Sequence, residues 1–542
     1  MVDCNIANAL KEVATALPDE IALVVRRKNV YRNWTFHELQ ESSTRFAADL
    51  SSEGINRGDR VMLMIKPSME FVCLTFALFQ LGAVVILIDP GMGYKNLLRC
   101  IGSVQPDVLI GIPKAQLFSR IFRTPFATVH TRICVGPTFG LLGKSFAGIT
   151  IKPAADFTGY IAAEDDLAAI IFTTGSTGPP KGVQYSHGIF HAQLGLIHDY
   201  YGIRSGDVDQ PAFPLFALFS TALGAKAVLP DMDAAKPARV DPAKFIRSII
   251  DQRVTYSFGS PAIWNVVSRY CLAQGVVLPI KKILMAGAPV SGELVERVQK
   301  IMASDGEIYT PYGATESLPI ASISGTEIVQ QTWPLTRQGR GACVGRPLHG
   351  IDIRIIRPQE GPVERWQDVV ELDADQIGEI VVQGPVVTCA YDHNDAETRL
   401  AKITGGDGFW HRMGDMGYFD DQGRLWFCGR KAHRVLTHEK VMYTIPCEAV
   451  FNEHPEVWRS ALVGVGKSGG KRPVLIVELK EKDARSGTLL DELQELARGH
   501  KLTETIDTFL VHPSFPVDIR HNAKIFREKL ALWAEEQLIP NF

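Results

Sequence analysis

The chain has 542 residues, of which 46% are hydrophobic and 22% charged, with a formal net charge of -3. That is ample apolar content for a large core and too much chain for one compact unit, so two or three domains are expected. The near-neutral balance excludes wholesale nucleic-acid binding and an acidic tail.

Asp3 and Glu12 occupy the N-terminal stretch, with no apolar run behind a basic start, so no signal peptide is read there. IALVV (21–25), RVMLMI (60–65), AVVILI (83–88) and DVLIGI (107–112) are apolar, strand-like runs. A helical pattern spans Phe36 to Leu50 between them. The alternation predicts α/β architecture with parallel-rich sheets. Phe71 to Ile88 resembles a membrane span in length, but Gln80 and Gly82 divide it. A buried helix followed by a buried strand is the better account, and no transmembrane segment is expected.

From Ile351 the texture changes. DIRIIR, GEIVVQG and RLWFCGR are short alternating segments and predict an antiparallel, barrel-like subdomain over 351–430. The expected N-terminal domain therefore runs 1–430. A small mobile α+β domain is expected over 431–542, with strands in ALVGVG and PVLIVEL and helices over 489–498 and 526–537. Nine cysteines stand singly, at Cys4, Cys73, Cys100, Cys134, Cys271, Cys343, Cys389, Cys428 and Cys447. Reduced thiols and a cytoplasmic setting follow most simply.

The stretch 173–187 reads TTGSTGPPKGVQYSH. It is not a Walker loop, because Pro180 precedes Lys181 and Gly182 follows it. Its parts still suit phosphate. Gly175, Gly178 and Gly182 let backbone amides approach closely. Thr173, Thr174, Ser176 and Thr177 offer hydroxyls, and Lys181 adds a mobile charge. The loop follows LAAIIFT, a strand, and α/β proteins place ligands at such strand ends. His187 and His191 are four apart with no third ligand in view, so a zinc site is not expected. His187 is expected to pack near the phosphate loop.

Six blocks in order resemble the adenylate-forming superfamily of acyl-CoA synthetases, luciferase and peptide-synthetase adenylation domains. They are 173–187, MAGAPVSGEL (285–294), TPYGATES (310–317), GEIVVQGPVVTCAYDH (378–393), GFWHRMGDMGYFDDQGRLWFCGR (408–430) and HNAKIFREKL (521–530). The resemblance implies ATP and Mg²⁺ as cofactors and a carboxylic acid activated as its acyl-adenylate. It implies that the 173–182 loop holds the β- and γ-phosphates. Tyr312, with Gly313 beside it, would stack on adenine against Gly287, Ala288 and Pro289. Thr315 would contact the α-phosphate, Glu316 would hold the metal and Asp415 the ribose hydroxyls. Arg430 would sit near the ribose, Lys431 at a hinge, and Lys524 on both anions of the reacting pair.

The second step is where the sequence departs from acyl-CoA synthetases. LTHEKVMYTIPCEAV (436–450) places Thr437 and His438 where small residues leave room for pantetheine. FPLFALFS (213–220) has Ala217 where many synthetases have histidine, and Ala523 replaces a glycine before Lys524. TPYGATESLPIASI and the histidine-bearing loop resemble the β-lactone synthetases of bacterial long-chain olefin biosynthesis. That implies a 2-alkyl-3-hydroxy fatty acid whose 3-hydroxyl attacks its own adenylate. It also implies a thiolase-like condensing enzyme, a reductase and a β-lactone decarboxylase as pathway partners. His438 is a candidate base for the hydroxyl, a packing role being the alternative. Residues 213–224 and 258–261 are candidates for an apolar acyl pocket, plain core being the alternative. A fatty acyl-CoA ligase is the rival function, and a scaffold without activity a second. Greasy substrates make peripheral membrane contact plausible, without an evident amphipathic anchor.

Overall fold

The computed structural model describes residues 3–538 apart from 28–29, 149–156, 173–178, 407, 468, 482–486 and 519–524. The divided apolar run folds as helix Met69–Leu81 and strand Val84–Leu87. Ser68 caps the helix start, and Gly82 ends it at φ 69°, a left-handed turn that glycine enters without strain. Every residue from Phe71 to Leu81 is buried, so this is a core helix without a polar face. Helix Phe36–Ser52 begins at a capping box, with Thr35 and Glu38 each accepting from the other's backbone N–H.

Among the described residues, strand Val84–Leu87 belongs to a seven-stranded sheet. Its order is Lys144–Ser145, Thr131–Cys134, Val108–Gly111, Arg60–Met64, Val84–Leu87, Leu167–Phe172 and Gly182–Ser186. All its pairs are parallel except the last, which is a hairpin across the phosphate-loop region. The second large sheet has fourteen strands among the described residues. Its parallel half runs from Ile21–Arg27 through Lys226–Leu229, Val208–Asp209, Tyr256–Gly259 and Lys282–Met285 to Glu307–Ala314. One apolar core joins the two sheets, with Val61 and Val85 of the first packed with Leu23 and Ala227 of the second.

The antiparallel texture after residue 351 is present, but those strands do not close into a barrel. Asp352–Ile356, Gly378–Gln383, Gly408–Phe419 and Leu425–Arg430 continue into Ala342–Pro347 and Ser317–Ser324, and so extend the large sheet. After Arg430 come a short hairpin (Val435–Leu436 with Val441–Met442) and a three-stranded sheet of Val457–Val465, Arg472–Leu479 and Thr508–Val511. Helices Leu489–Arg498 and Arg527–Leu538 match the two expected there. Two apolar clusters, one around Phe451 and Leu475 and one around Ile476 and Leu530, are drawn wholly from this tail. Among the described residues, no helix is long and apolar enough to cross a membrane.

Candidate active site

Three adjoining cavities lie where the motif residues converge. The first, about 550 Å³, is lined by Gly287, Ala288, Pro289, Tyr312, Asp415 and Arg430. Its far wall comes from the tail, with Thr444, Arg459, Ile525 and Arg527. Gly287 follows strand Lys282–Met285 at φ 96°, which brings bare backbone to the cavity edge. Asp415 and Arg430 face each other in register on antiparallel strands, so their side chains share one face. Arg430 Nη1 lies 2.9 Å from Asp415 Oδ1. The Tyr312 hydroxyl donates to Asp415 Oδ2 at 2.6 Å. A carboxylate has about four lone-pair sites, so both oxygens keep capacity for a diol. Burial and the Asp415 charge push the Tyr312 phenol well above its ordinary range, which keeps it a donor. Arg527 grips Glu448 with bonds of 2.7 and 2.8 Å, tying the C-terminal helix to this wall.

The second cavity, about 760 Å³, shares Gly287, Pro311, Gly313 and Arg430 with the first. Lys181, Thr315, Glu316, Tyr391 and Glu397 line it. Lys181 is paired with Glu397, and its ammonium lies 4.8 Å from the Tyr391 ring centroid. The Tyr391 hydroxyl donates to Glu316 Oε1 at 2.8 Å. Thr388 fixes the Glu316 carbonyl twice, through its N–H at 2.9 Å and its hydroxyl at 3.0 Å. Lys402 in turn donates to the Thr388 carbonyl. Burial pulls the Lys402 ammonium down to about 7, with Glu316 opposing the shift. Glu316 thus presents one well-braced carboxylate. Among the described residues no cluster of three or more metal-type ligands exists. A lone carboxylate beside phosphate suits magnesium, which keeps its waters and shares phosphate oxygens, and does not suit zinc.

The third cavity, about 180 Å³, opens behind Thr315 and is walled by Phe172, Phe213, Phe216, Phe219 and Phe258. Phe216 and Phe258 stack at 3.8 Å and 15° and line both this cavity and the second. The stretch 213–224 is therefore divided between two roles. Its phenylalanines and Ser220 line the cavity, whereas Ala217 is fully buried and lines none of the three.

Residues 10–391 match the AMP-binding enzyme family. The chain belongs to that family. Two proteins named olefin beta-lactone synthetase are similar to this AMP-binding enzyme over nearly its whole length. That of Xanthomonas campestris pv. campestris is 43% identical, covering 99% of this chain and 98% of its own. That of Stenotrophomonas maltophilia is 42% identical, covering 99% of both. A 2-succinylbenzoate–CoA ligase of Bacillus mycoides is 26% identical, covering 98% of this chain and 99% of its own. In fold, the amide bond synthetase McbA of Marinactinospora thermotolerans superposes with a TM-score of 0.81 at 21% identity, covering 98% of this chain and 99% of that one.

The structure brings Gly287, Ala288, Pro289, Tyr312, Gly313, Thr315, Glu316, Asp415, Arg430 and Lys181 around two contiguous cavities. Thr173, Thr174, Gly175, Ser176, Thr177, Gly178 and Lys524 lie outside the described residues. Their neighbours Phe172, Pro179 and Ile525 line the cavities. His438 is placed elsewhere. It is exposed beside the tail hairpin and packs so closely on Gly470 that a Cβ there would meet its ring at 2.3 Å. It lines none of the three cavities.

His187 is a correction. It does not pack near the phosphate loop, because strand Gly182–Ser186 runs back along Leu167–Phe172 and delivers it to the opposite strand end. There it is fully buried, edge-on to Phe79 at 5.6 Å. His191 is exposed on the same helix. Tyr391, Glu397, Thr388 and Lys402 were not singled out from the sequence as site residues. Three lie in or just after the block 378–393, whose TCAYDH was the available signal.

Proposed function

We propose that this AMP-binding enzyme activates a long-chain 2-alkyl-3-hydroxy fatty acid with ATP and closes a β-lactone. A carboxylate oxygen attacks the α-phosphate and pyrophosphate leaves. The acid's 3-hydroxyl oxygen then attacks the acyl carbon, the bond from that carbon to the AMP oxygen breaks, and AMP leaves with that oxygen. The hydroxyl proton is released. One observation carries this reading above the rest, the 43% identity over nearly the full chain with a protein named olefin beta-lactone synthetase. An internal nucleophile also suits the mechanism, since effective molarities of about 10⁵ M or more remove the need for a second bound acceptor.

In this account adenine lies on Tyr312 against Gly287, Ala288 and Pro289, and ribose on Asp415 beside Arg430. The polyphosphate takes the 173–178 loop and draws Lys181 from Glu397. Thr315 meets the α-phosphate. Glu316 holds magnesium, which when bound offsets the polyphosphate charge. Lys524, next to the cavity-lining Ile525, reaches the two anions that must meet. The alkyl arms enter the phenylalanine-walled cavity. The domain boundary falls at 430/431, with 351–430 as the antiparallel part of the N-terminal domain and 431–542 as a mobile lid. A thiolase-like condensing enzyme and a reductase supply the acid, and a β-lactone decarboxylase consumes the product.

The test is purified enzyme with ATP and a 3-hydroxy acid, with and without CoA. Lactone, AMP and pyrophosphate without CoA support the assignment. A thioester formed only with CoA supports an acyl-CoA ligase instead.

A further inference from the structure

Asp209 is among the residues lining the third cavity. It is 1% exposed and pairs with Tyr256 across the short parallel strands Val208–Asp209 and Tyr256–Gly259. Phe258, whose ring stacks on Phe216 at the cavity mouth, is two residues further along that strand. Asp209 and Tyr256 therefore lie one pleat repeat deeper, roughly 6 to 7 Å. Asp209 Oδ2 accepts from the Ser220 hydroxyl. Asp209 Oδ1 has no hydrogen-bond partner among the described residues. The Tyr256 hydroxyl and the Phe258 N–H face the same carboxyl without giving Oδ1 a bond of ordinary geometry.

Three other polar side chains on this wall are engaged. Tyr185 donates to the Thr315 carbonyl, Gln193 to the Leu318 carbonyl at 2.7 Å, and Tyr201 to Ser322 Oγ at 3.3 Å. Burial pushes the Asp209 carboxyl well above the usual carboxylate range. A buried carboxyl with an idle oxygen costs stability unless something polar meets it. The acid proposed above carries one hydroxyl into an otherwise apolar cavity, and that hydroxyl meets the same penalty.

We infer that Asp209 binds the substrate's 3-hydroxyl and is a specificity-determining residue of the acyl cavity, selecting hydroxylated over plain branched acids. The inference rests on the proposed function. Ser220 orients the carboxyl, and the phenylalanine wall excludes the water that would otherwise satisfy it.

The experiment compares a 2-alkyl-3-hydroxy acid with its 3-deoxy twin, reading kcat/KM for pyrophosphate release. Wild-type enzyme is expected to favour the hydroxy acid roughly tenfold to a hundredfold, the cost of an unmet buried polar group. In Asp209→Leu the ratio is expected to fall to within about threefold of unity. Asp209→Asn, whose amide donates and accepts, is expected to keep most of it. If the leucine variant does not fold, Asp209→Ala takes its place. A wild-type ratio near one overturns the inference, as does a wild-type ratio in the apolar variant. Parallel loss of both acids overturns it too, since that is the mark of a purely structural carboxyl. No pyrophosphate release from wild-type enzyme with either acid would instead overturn the adenylation reading itself.

Discussion

The Tyr312 hydroxyl donates to Asp415 Oδ2 at 2.6 Å while Arg430 holds the other oxygen at 2.9 Å. The group proposed to read the ribose is thus aimed before nucleotide arrives, by a ring proposed to read the base. Asp415→Asn should lower kcat/KM for ATP by roughly tenfold to a hundredfold, the range for charge-assisted bonds. Tyr312→Phe keeps the ring and loses only the bond to Asp415, so it should cost less. Pyrophosphate release against ATP concentration checks both. A phenylalanine variant worse than the asparagine variant would contradict this ordering.

Lys524 and His438 should separate cleanly. Lys524→Ala is expected to lower the adenylation rate by about 10² or more, the scale for losing one preorganised charge. His438 packs on Gly470 and lines none of the cavities, so His438→Ala should form lactone from preformed adenylate at close to the wild-type rate. Single-turnover kinetics read both. A large loss at His438 would restore it as the base.

Glu379 is a buried carboxylate shared by two cations, Arg412 at 2.7 Å and Lys431 at 3.0 Å. Lys431 is the proposed hinge residue, so this cluster fixes the start of the C-terminal tail to the large sheet. Glu379→Gln leaves two cations without their counter-charge. It should destabilise the enzyme by about 3 to 5 kcal/mol, the cost of breaking a buried pair. Urea unfolding measures it, and a loss below about 1 kcal/mol would contradict the assignment.

Burial holds the His187 imidazole at about 4, against 6.5 for the unperturbed side chain. Above pH 6.5 both folded and unfolded states are neutral, and the residue does not bear on pH dependence. Between pH 6.5 and about 4 the unfolded chain takes up a proton that the fold refuses. Stability should therefore fall with pH across that window, by about 3 kcal/mol in all. His187→Phe should remove this component, seen as a smaller shift of the urea midpoint between pH 7 and pH 5. An unchanged shift would contradict it.

Much of the fold was legible because its signals are local. Gly82 marks where helix gives way to strand, Thr35 and Glu38 announce a helix start, and Leu489 to Arg498 is a helix at the expected limits. The merging of the antiparallel strands into one sheet was not legible. It depends on pairings such as Ala321 with Pro347 and Ala342 with Phe427, which no short window of sequence contains. His187 was misplaced for a related reason, since the sequence does not say which end of a returning strand a following residue occupies. In the site, motif residues such as Gly287, Tyr312, Glu316 and Asp415 come together around two cavities. Asp209 was not legible. Asp209 stands in the polar stretch GDVDQP, which looks like a surface turn until the strands on either side bury it.

The central claim is that the carboxylate is activated and the neighbouring hydroxyl displaces AMP. Mass spectrometry of a single turnover with acid carrying ¹⁸O in its carboxylate tests it most directly. One labelled oxygen is predicted in AMP and the other in the lactone carbonyl, with the unlabelled 3-hydroxyl oxygen in the ring. AMP free of label, or a lactone retaining both carboxylate oxygens, would contradict the account.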